Sequence, residues 1–331
     1  MIEKPYLLFL GDARDQLAAK TAQGVADWRP DWCVGQLRLP GCQADVGLED
    51  IDVTEAVSRG ARTFVIGTVS SGGQLPESWS GIIIEAIERG MDVASGLHTR
   101  LDSFPEIRAK AERHGARLHE VRHADVALGT GRGEPRSGRR LVTVGTDCSV
   151  GKKYTALAIE KEMRARGMNA DFRATGQTGV LIAERGIAID AVVADFIAGA
   201  AEWLTPANDA DHWDVVEGQG SLFHAAFAGV TLGLLHGAQP DAIVLCHEAT
   251  RQHMRGLPHA PIPSIGDCLA AYPPLAHLTN PQARMVGISV DTHHLPADEA
   301  ETYLAGLTDT HGLPACDPLR GGVGPIVDAL A

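Results

Sequence analysis

The sequence predicts an α/β protein of two domains, each built on a mostly parallel sheet, and three observations carry that prediction. Short apolar runs alternate with amphipathic stretches from one end of the chain to the other, the pattern of βα units laid around parallel strands. Midway, the segment Gly129-Thr-Gly-Arg-Gly-Glu-Pro-Arg-Ser-Gly-Arg-Arg140 breaks the alternation; rich in glycine and arginine and poor in apolar residues, it reads as a linker, or else as a long surface loop. Beyond it, the apolar run Leu141–Val144 leads into a glycine turn and a helical pattern, the order of elements that traps anions at a helix N-terminus.

In the first half, strands are expected at Tyr6–Leu10, Cys33–Leu37, Thr63–Val69, Asp92–Ala94 and Arg117–Val121, with helices at Arg14–Asp27, Val53–Arg59, Trp79–Arg89 and Pro105–His114. The last three helices end near Gly60, Gly90 and Gly115, and glycine is the usual residue just past a helix end. This gives a Rossmann-like domain over residues 1–128, a linker over 129–140 and a second domain over 141–331. In the second domain, strands are expected at Leu141–Val144, Ala170–Arg173, Val215–Glu217, Ala242–Cys246 and Met285–Val290. A helix is expected over Ile189–Leu204, where Ile189, Val192, Val193, Phe196, Ile197, Ala200 and Leu204 recur at helical spacing.

With 331 residues, 44% of them hydrophobic and 21% charged, the chain suits a two-domain globular protein. Its formal charge of −13 argues against a nucleic-acid partner, because a phosphate backbone needs a basic face; a local basic pocket for a small anion stays open. The six cysteines form no Cys-x-x-Cys pair, which reads as reduced thiols rather than a disulfide framework or zinc site. The Met1–Pro5 terminus lacks the basic and apolar parts of a secretion signal, and no apolar run approaches the ~20 residues of a membrane helix. The expectation is a cytoplasmic homo-oligomer acting on a small molecule, away from membranes.

The chemistry centres on Gly145, Thr146, Asp147, Cys148, Ser149, Val150, Gly151, Lys152, Lys153 and Tyr154. Backbone N–H groups at a helix start have no intrahelical partner and point at a ligand, the glycines let phosphate approach, and lysine adds a full charge. The plain alternative is a tight turn with incidental lysines. In nucleotide-hydrolysing loops, a Ser or Thr hydroxyl follows the lysine and binds Mg²⁺. Here Lys153 stands there, and an ammonium repels a metal. A cofactor held by its phosphates without cleavage, of the CoA type, is favoured over ATP turnover, unless Thr155 or Asp147 restores metal binding.

Ligands of open α/β sheets collect beyond the C-terminal strand ends, which selects the other candidates. Arg173, Gln177 and Thr178 follow one strand; Arg173 suits a substrate carboxylate and the other two suit hydrogen bonds, or the segment is a plain glycine turn. Glu217 ends another strand. His247 and Arg251 leave a third, and His224 follows Gly220 closely. Histidine titrates near neutrality and is a usual general base, although a lone histidine is more often structural. The Ser70–Gly73 run and the Ser95–His98 strand exit are weaker anion candidates. His247-Glu248 followed by His253 lacks metalloprotease spacing and His293-His294 has no third ligand, so no metal is expected.

The loop is similar to the Gly-Thr-Asp-x-x-Val-Gly-Lys loop of dethiobiotin synthetases. Taken with Arg-Ala-Thr-Gly-Gln-Thr-Gly (173–179), Val-Glu-Gly-Gln-Gly-Ser-Leu (216–222), His-Gly-Ala-Gln-Pro-Asp (236–241), Leu-Cys-His (245–247) and Ser-Gly-Leu-His (95–98), it resembles the D-glutamate N-acetyltransferase family over nearly the whole chain. The lysine pair is the most specific of these features. The resemblance implies a Rossmann-like domain followed by a P-loop NTPase-like domain, and transfer of acetyl from acetyl-CoA to the amino group of D-glutamate in D-amino-acid catabolism. Such transfer needs no Mg²⁺. The two substrate carboxylates would give Arg173 and Arg251 work as bidentate clamps. His247, His224 or Glu217 would serve as base for direct attack, with backbone N–H groups near Gly176–Gly179 or Gly218–Gly220 facing the oxyanion. Covalent relay through Cys148 is the lesser route. The rival readings are a Mg-ATP-dependent ligase or kinase resembling dethiobiotin synthetase, and a non-catalytic sensor.

Overall fold

The computed structural model describes residues 2–68, 74–123 and 126–331. The Ser70–Gly73 candidate and the last residue of the Thr63–Val69 strand lie outside the described residues. The chain divides into two compact units: Met1–Asp125 with Gln177–Ala188, and Val126–Gly176 with Ile189–Ala331.

The first unit contains β1 (Tyr6–Gly11), α1 (Lys20–Trp28), β2 (Cys33–Arg38), α2 (Val53–Ser58), β3 (Thr63–Ile66), α3 (Ser80–Glu88), β4 (Asp92–Ser95), α4 (Pro105–His114) and β5 (Leu118–Glu120). Its five strands run parallel in the order β2-β1-β3-β4-β5. Strand β1 is apolar along its length because both its faces are buried. Leu7 and Phe9 join Phe64, Trp79, Ile83 and Ile87 in the core on one side. Helix α1 starts at Lys20, not at Arg14. The Asp15 carboxylate accepts from Ala18 N at 2.8 Å, a local turn that competes with helix.

The second unit opens with β6 (Arg139–Gly145), α5 (Lys152–Ala165) and β7 (Ala170–Arg173). Helix α6 (Gln177–Ala183) belongs to the first unit. The chain then resumes with α7 (Ile197–Leu204), β8 (Trp213–Val216), α8 (Ala228–Ala238), β9 (Ala242–Glu248), β10 (His253–Met254), β11 (Leu257–Pro261), α9 (Ile265–Ala276), β12 (Arg284–Asp291), α10 (Ala297–His311), β13 (Ala315–Cys316) and α11 (Gly324–Asp328). Six parallel strands run β13-β12-β9-β6-β8-β7, and β10 pairs with β11 as an antiparallel hairpin. Strand β6 is central, so its C-terminal end emerges between those of β8 and β9.

The helix expected over Ile189–Leu204 is broken. Two short 3-10 turns, Ile189–Ala191 and Ala194–Phe196, precede α7. Val193 between them is extended (φ −57°, ψ 136°) and 65% exposed. Two consecutive β-branched residues, Val192 and Val193, crowd the preceding turn of a helix, and burial of Ile197, Ala200, Ala201 and Leu204 is achieved by α7 alone. Among the described residues, no helix is long and apolar enough to cross a membrane.

Candidate functional site

Strand β6 ends at Gly145 and α5 begins at Lys152, so the intervening turn sits at the mouth of a helix. A side chain at Gly145 would place Cβ 2.8 Å from Asp147 O and 2.9 Å from Lys152 Nζ; only glycine lets the loop fold back here. Ser149 (φ 51°) and Gly151 (φ 90°) adopt left-handed conformations that curl the backbone into a concavity of the kind successive N–H groups offer to an anion. Lys152 Nζ points into it, donating to Asp147 O at 2.7 Å. The residue is only 6% exposed, and burial pushes its pKa down; a bound anion would relieve that cost. Tyr272 donates to Gly145 O (2.7 Å) and Ser221 to Thr146 O (3.1 Å), fixing the loop from outside. Val150 is buried beneath it, and the Lys153 ammonium lies 4.9 Å from the Tyr154 ring centroid.

The Asp147 carboxylate does not line the concavity. It is wholly buried, accepting from Cys148 N (2.6 Å), Arg255 N (2.7 Å) and Arg251 Nη1 (2.9 Å). Arg251 also donates to Cys148 O (2.6 Å), Ser149 O (3.0 Å) and Glu248 (3.3 Å). The expected carboxylate clamp is thus a brace for the loop. Arg173 is committed likewise, with Nε 2.6 Å from Asp214 Oδ1 and Nη2 3.5 Å from Asp171. Thr178 donates to Thr21 Oγ1 at 3.2 Å, and the Gln177 amide lies between Gly96 O and Arg122 Nη2. The polar groups of these two residues are taken up inside the first unit.

The strand order places His247 and Glu217 on opposite flanks of the loop, since β6 pairs with β9 through Gly145–Cys246 and with β8 through Val142–Val216. His247 Nδ1 is 3.1 Å from Thr146 Oγ1, and its Nε2 makes no hydrogen bond among the described residues. Burial holds its pKa below the ordinary value. Glu217 Oε2 accepts from Thr175 N (3.0 Å) and Gly176 N (3.1 Å). Burial pushes this carboxyl up, and the Lys153 charge opposes the rise.

His224 is bound at both ring nitrogens: Nδ1 accepts from Ala226 N (3.2 Å) and Nε2 donates to Arg255 O (3.0 Å). That use of both nitrogens suits positioning better than proton transfer. The expected oxyanion donors are partly occupied too, Gly176 N by Glu217 and Gly218 N by Thr143 Oγ1 at 2.9 Å. Asp147, Cys148 and His224 hold potential ligand atoms within 4.8 Å of one another, yet the donors just named already engage the aspartate and the histidine. Thr155 is buried and bonded to Ser289 Oγ at 2.7 Å. Burial raises the Cys148 thiol, which disfavours the thiolate that covalent relay requires.

Sequence reasoning missed the β10–β11 hairpin. Its tip residue Arg255 donates through its backbone to Asp147 and through Nη1 to Ser149 Oγ. The Met254-Arg-Gly-Leu257 pattern, a glycine turn between apolar residues, was the available signal.

Comparison with known proteins agrees with this architecture. A family model described as a domain of unknown function (DUF1611_C), P-loop domain, matches residues 127–327, and its companion (DUF1611_N), a Rossmann-like domain, matches 38–124. The chain is 54% identical over 331 residues to a D-glutamate N-acetyltransferase of Tritonibacter scottomollicae, covering 100% of this chain and 99% of the relative. It is 52% identical over 329 residues to a D-glutamate N-acetyltransferase of a Pseudoalteromonas species, covering 99% of each. A crystal structure of a DUF1611 family protein from Anabaena variabilis superposes with a TM-score of 0.90 at 30% identity, covering 99% of both chains.

Proposed function

This chain belongs to the DUF1611 family, and on that premise we propose that it is an N-acetyltransferase moving acetyl from acetyl-CoA to the amino group of D-glutamate. The observation that carries the reading is the Lys152–Lys153 pair, with Lys152 inside the concavity and the Lys153 charge acting on Glu217. A nucleotide-cleaving loop places Mg²⁺ against a carboxylate at that point. Here a tethered ammonium supplies the positive charge, so the loop suits phosphates gripped as a handle and left intact. The residues fit CoA: backbone donors and ammonium groups for its phosphates, with no metal required.

In the proposed reaction, His247 Nε2 takes a proton from the substrate ammonium. The freed amine attacks the thioester carbonyl and the C–N bond forms; as the C–S bond breaks the attacking nitrogen sheds a second proton, so that one proton protonates the leaving sulfur as CoA thiol and the other passes to solvent. Burial keeps His247 neutral near pH 7, as a base must be, and Thr146 fixes its ring. Glu217 serves as counter-ion to Lys153. The reading extends to a cytoplasmic homo-oligomer working in D-amino-acid catabolism; the six cysteines are all unpaired, which suits a reducing compartment.

The test is thiol release from acetyl-CoA with D-glutamate, L-glutamate and D-aspartate, each with Mg²⁺ and with EDTA. Release with D-glutamate that persists in EDTA is expected. Mg²⁺-dependent ADP release from ATP would instead support the ligase or kinase reading.

A further inference from the structure

CoA carries two separate anionic groups, a diphosphate and a 3′-phosphate. On the acetyl-CoA reading the concavity around Lys152 would take one such group, and Arg251 is consumed by Asp147, Glu248 and two loop carbonyls. Arg255 is differently placed. Its N–H is held by Asp147 and its C=O by His224, which fixes the hairpin tip on the outer lip of the loop. Its guanidinium touches the Ser149 hydroxyl and pairs with no carboxylate among the described residues. In a chain of net charge −13, an arginine without an acidic partner beside a lysine-lined concavity is well placed for a second anion.

Apolar surface adjoins it. Phe223 and Phe227 are 37% and 45% exposed, and the Phe227 ring lies 4.7 Å from the ring of His224, the residue that grips Arg255. Exposed aromatic faces beside a charged pocket are sites for planar ligands.

Resting on the acetyl-CoA reading, we propose that Arg255 and Phe227 form the subsite for the 3′-phosphoadenosine end of the donor. Arg255 takes the 3′-phosphate, the Phe227 face takes the adenine, and His224 is a positioning residue that holds the hairpin tip. The diphosphate is left to the loop.

The experiment compares wild type, Arg255→Gln and Phe227→Ala with acetyl-CoA and 3′-dephospho-acetyl-CoA, alongside calorimetric binding of CoA and dephospho-CoA. Wild type is expected to show a KM about tenfold lower for the phosphorylated donor, as one charge-assisted contact provides. In Arg255→Gln that ratio falls to near one; in Phe227→Ala both KM values rise and the ratio persists. A ratio unchanged in Arg255→Gln, or absent in wild type, overturns the subsite. Binding that discriminates through Arg255 without any thiol release keeps the subsite and sinks the proposed reaction, so the two failures are distinguishable.

Discussion

His247 Nδ1 lies 3.1 Å from Thr146 Oγ1, so a residue of the phosphate loop orients a ring on the neighbouring strand. With Nδ1–H donating to the hydroxyl, Nε2 presents its lone pair. Its pKa lies below the ordinary 6.5 because burial disfavours the charged ring. The acid limb of kcat/KM is expected below pH 6.5, and His247→Asn should abolish that limb and lower kcat by about 10²–10³-fold. A pH–rate series on both proteins decides it.

The same depression links to stability. Between the folded and unfolded pKa values the unfolded chain binds more protons. Stability from the neutral ring is therefore kept above pH 6.5 and lost as pH falls through the lower folded value. Urea melts at pH 7.5 and 5.5 should show wild type losing more stability on acidification than His247→Asn.

Lys153→Thr restores the hydroxyl that metal-dependent loops carry. The variant should lose affinity for acetyl-CoA by about tenfold, the scale of one charged contact, and gain Mg²⁺-dependent ADP binding. Calorimetry with and without EDTA reads both. Unchanged acetyl-CoA affinity would remove Lys153 from the site.

Arg251→Ala leaves the buried Asp147 carboxylate with backbone donors alone. A loss of about 3 kcal/mol in unfolding free energy is expected, and Asp147→Asn added to it should recover part. Denaturant titrations of the single and double variants measure the coupling.

Gly218 approaches β6 so closely that an added Cβ would stand 1.6 Å from Thr143 O. Gly218→Ala should cost at least about 3 kcal/mol or fail to fold, since backbone rather than a flexible side chain is in the way. Gly229, in α8 with nothing within 4 Å of its would-be Cβ, is the control: Gly229→Ala should gain about 0.5 kcal/mol. Thermal melts separate the two.

Features written in contiguous residues were legible in the sequence. The loop between Val144 and Tyr154, the strands on either side of it and the carboxylate after β8 follow from spacing and apolar runs. Partners from distant parts of the chain were not. Arg173 meets Asp214 because β7 and β8 pair in a register that sets Asp171 opposite Asp214, and Arg251 meets Asp147 only once β9 lies beside β6. Both arginines looked free because residue type announces charge but not what will neutralise it. The Ile189–Leu204 segment misled for a different reason: helical spacing was present, but of the valine pair inside it Val193 is 65% exposed and buries little to repay the crowding.

Helix α6 belongs with the first unit although the chain reaches it only after laying down β6, α5 and β7. Gene fragments divided at the arginine-rich joint would therefore not yield two self-sufficient halves. The downstream piece would carry Val180, Leu181 and Ile182, apolar side chains buried in the intact protein, without the surface that shelters them. The upstream piece would lack the helix whose Thr178 meets Thr21. Co-expression of both pieces, or a circular permutant opened elsewhere, is the practical route to dissecting this enzyme.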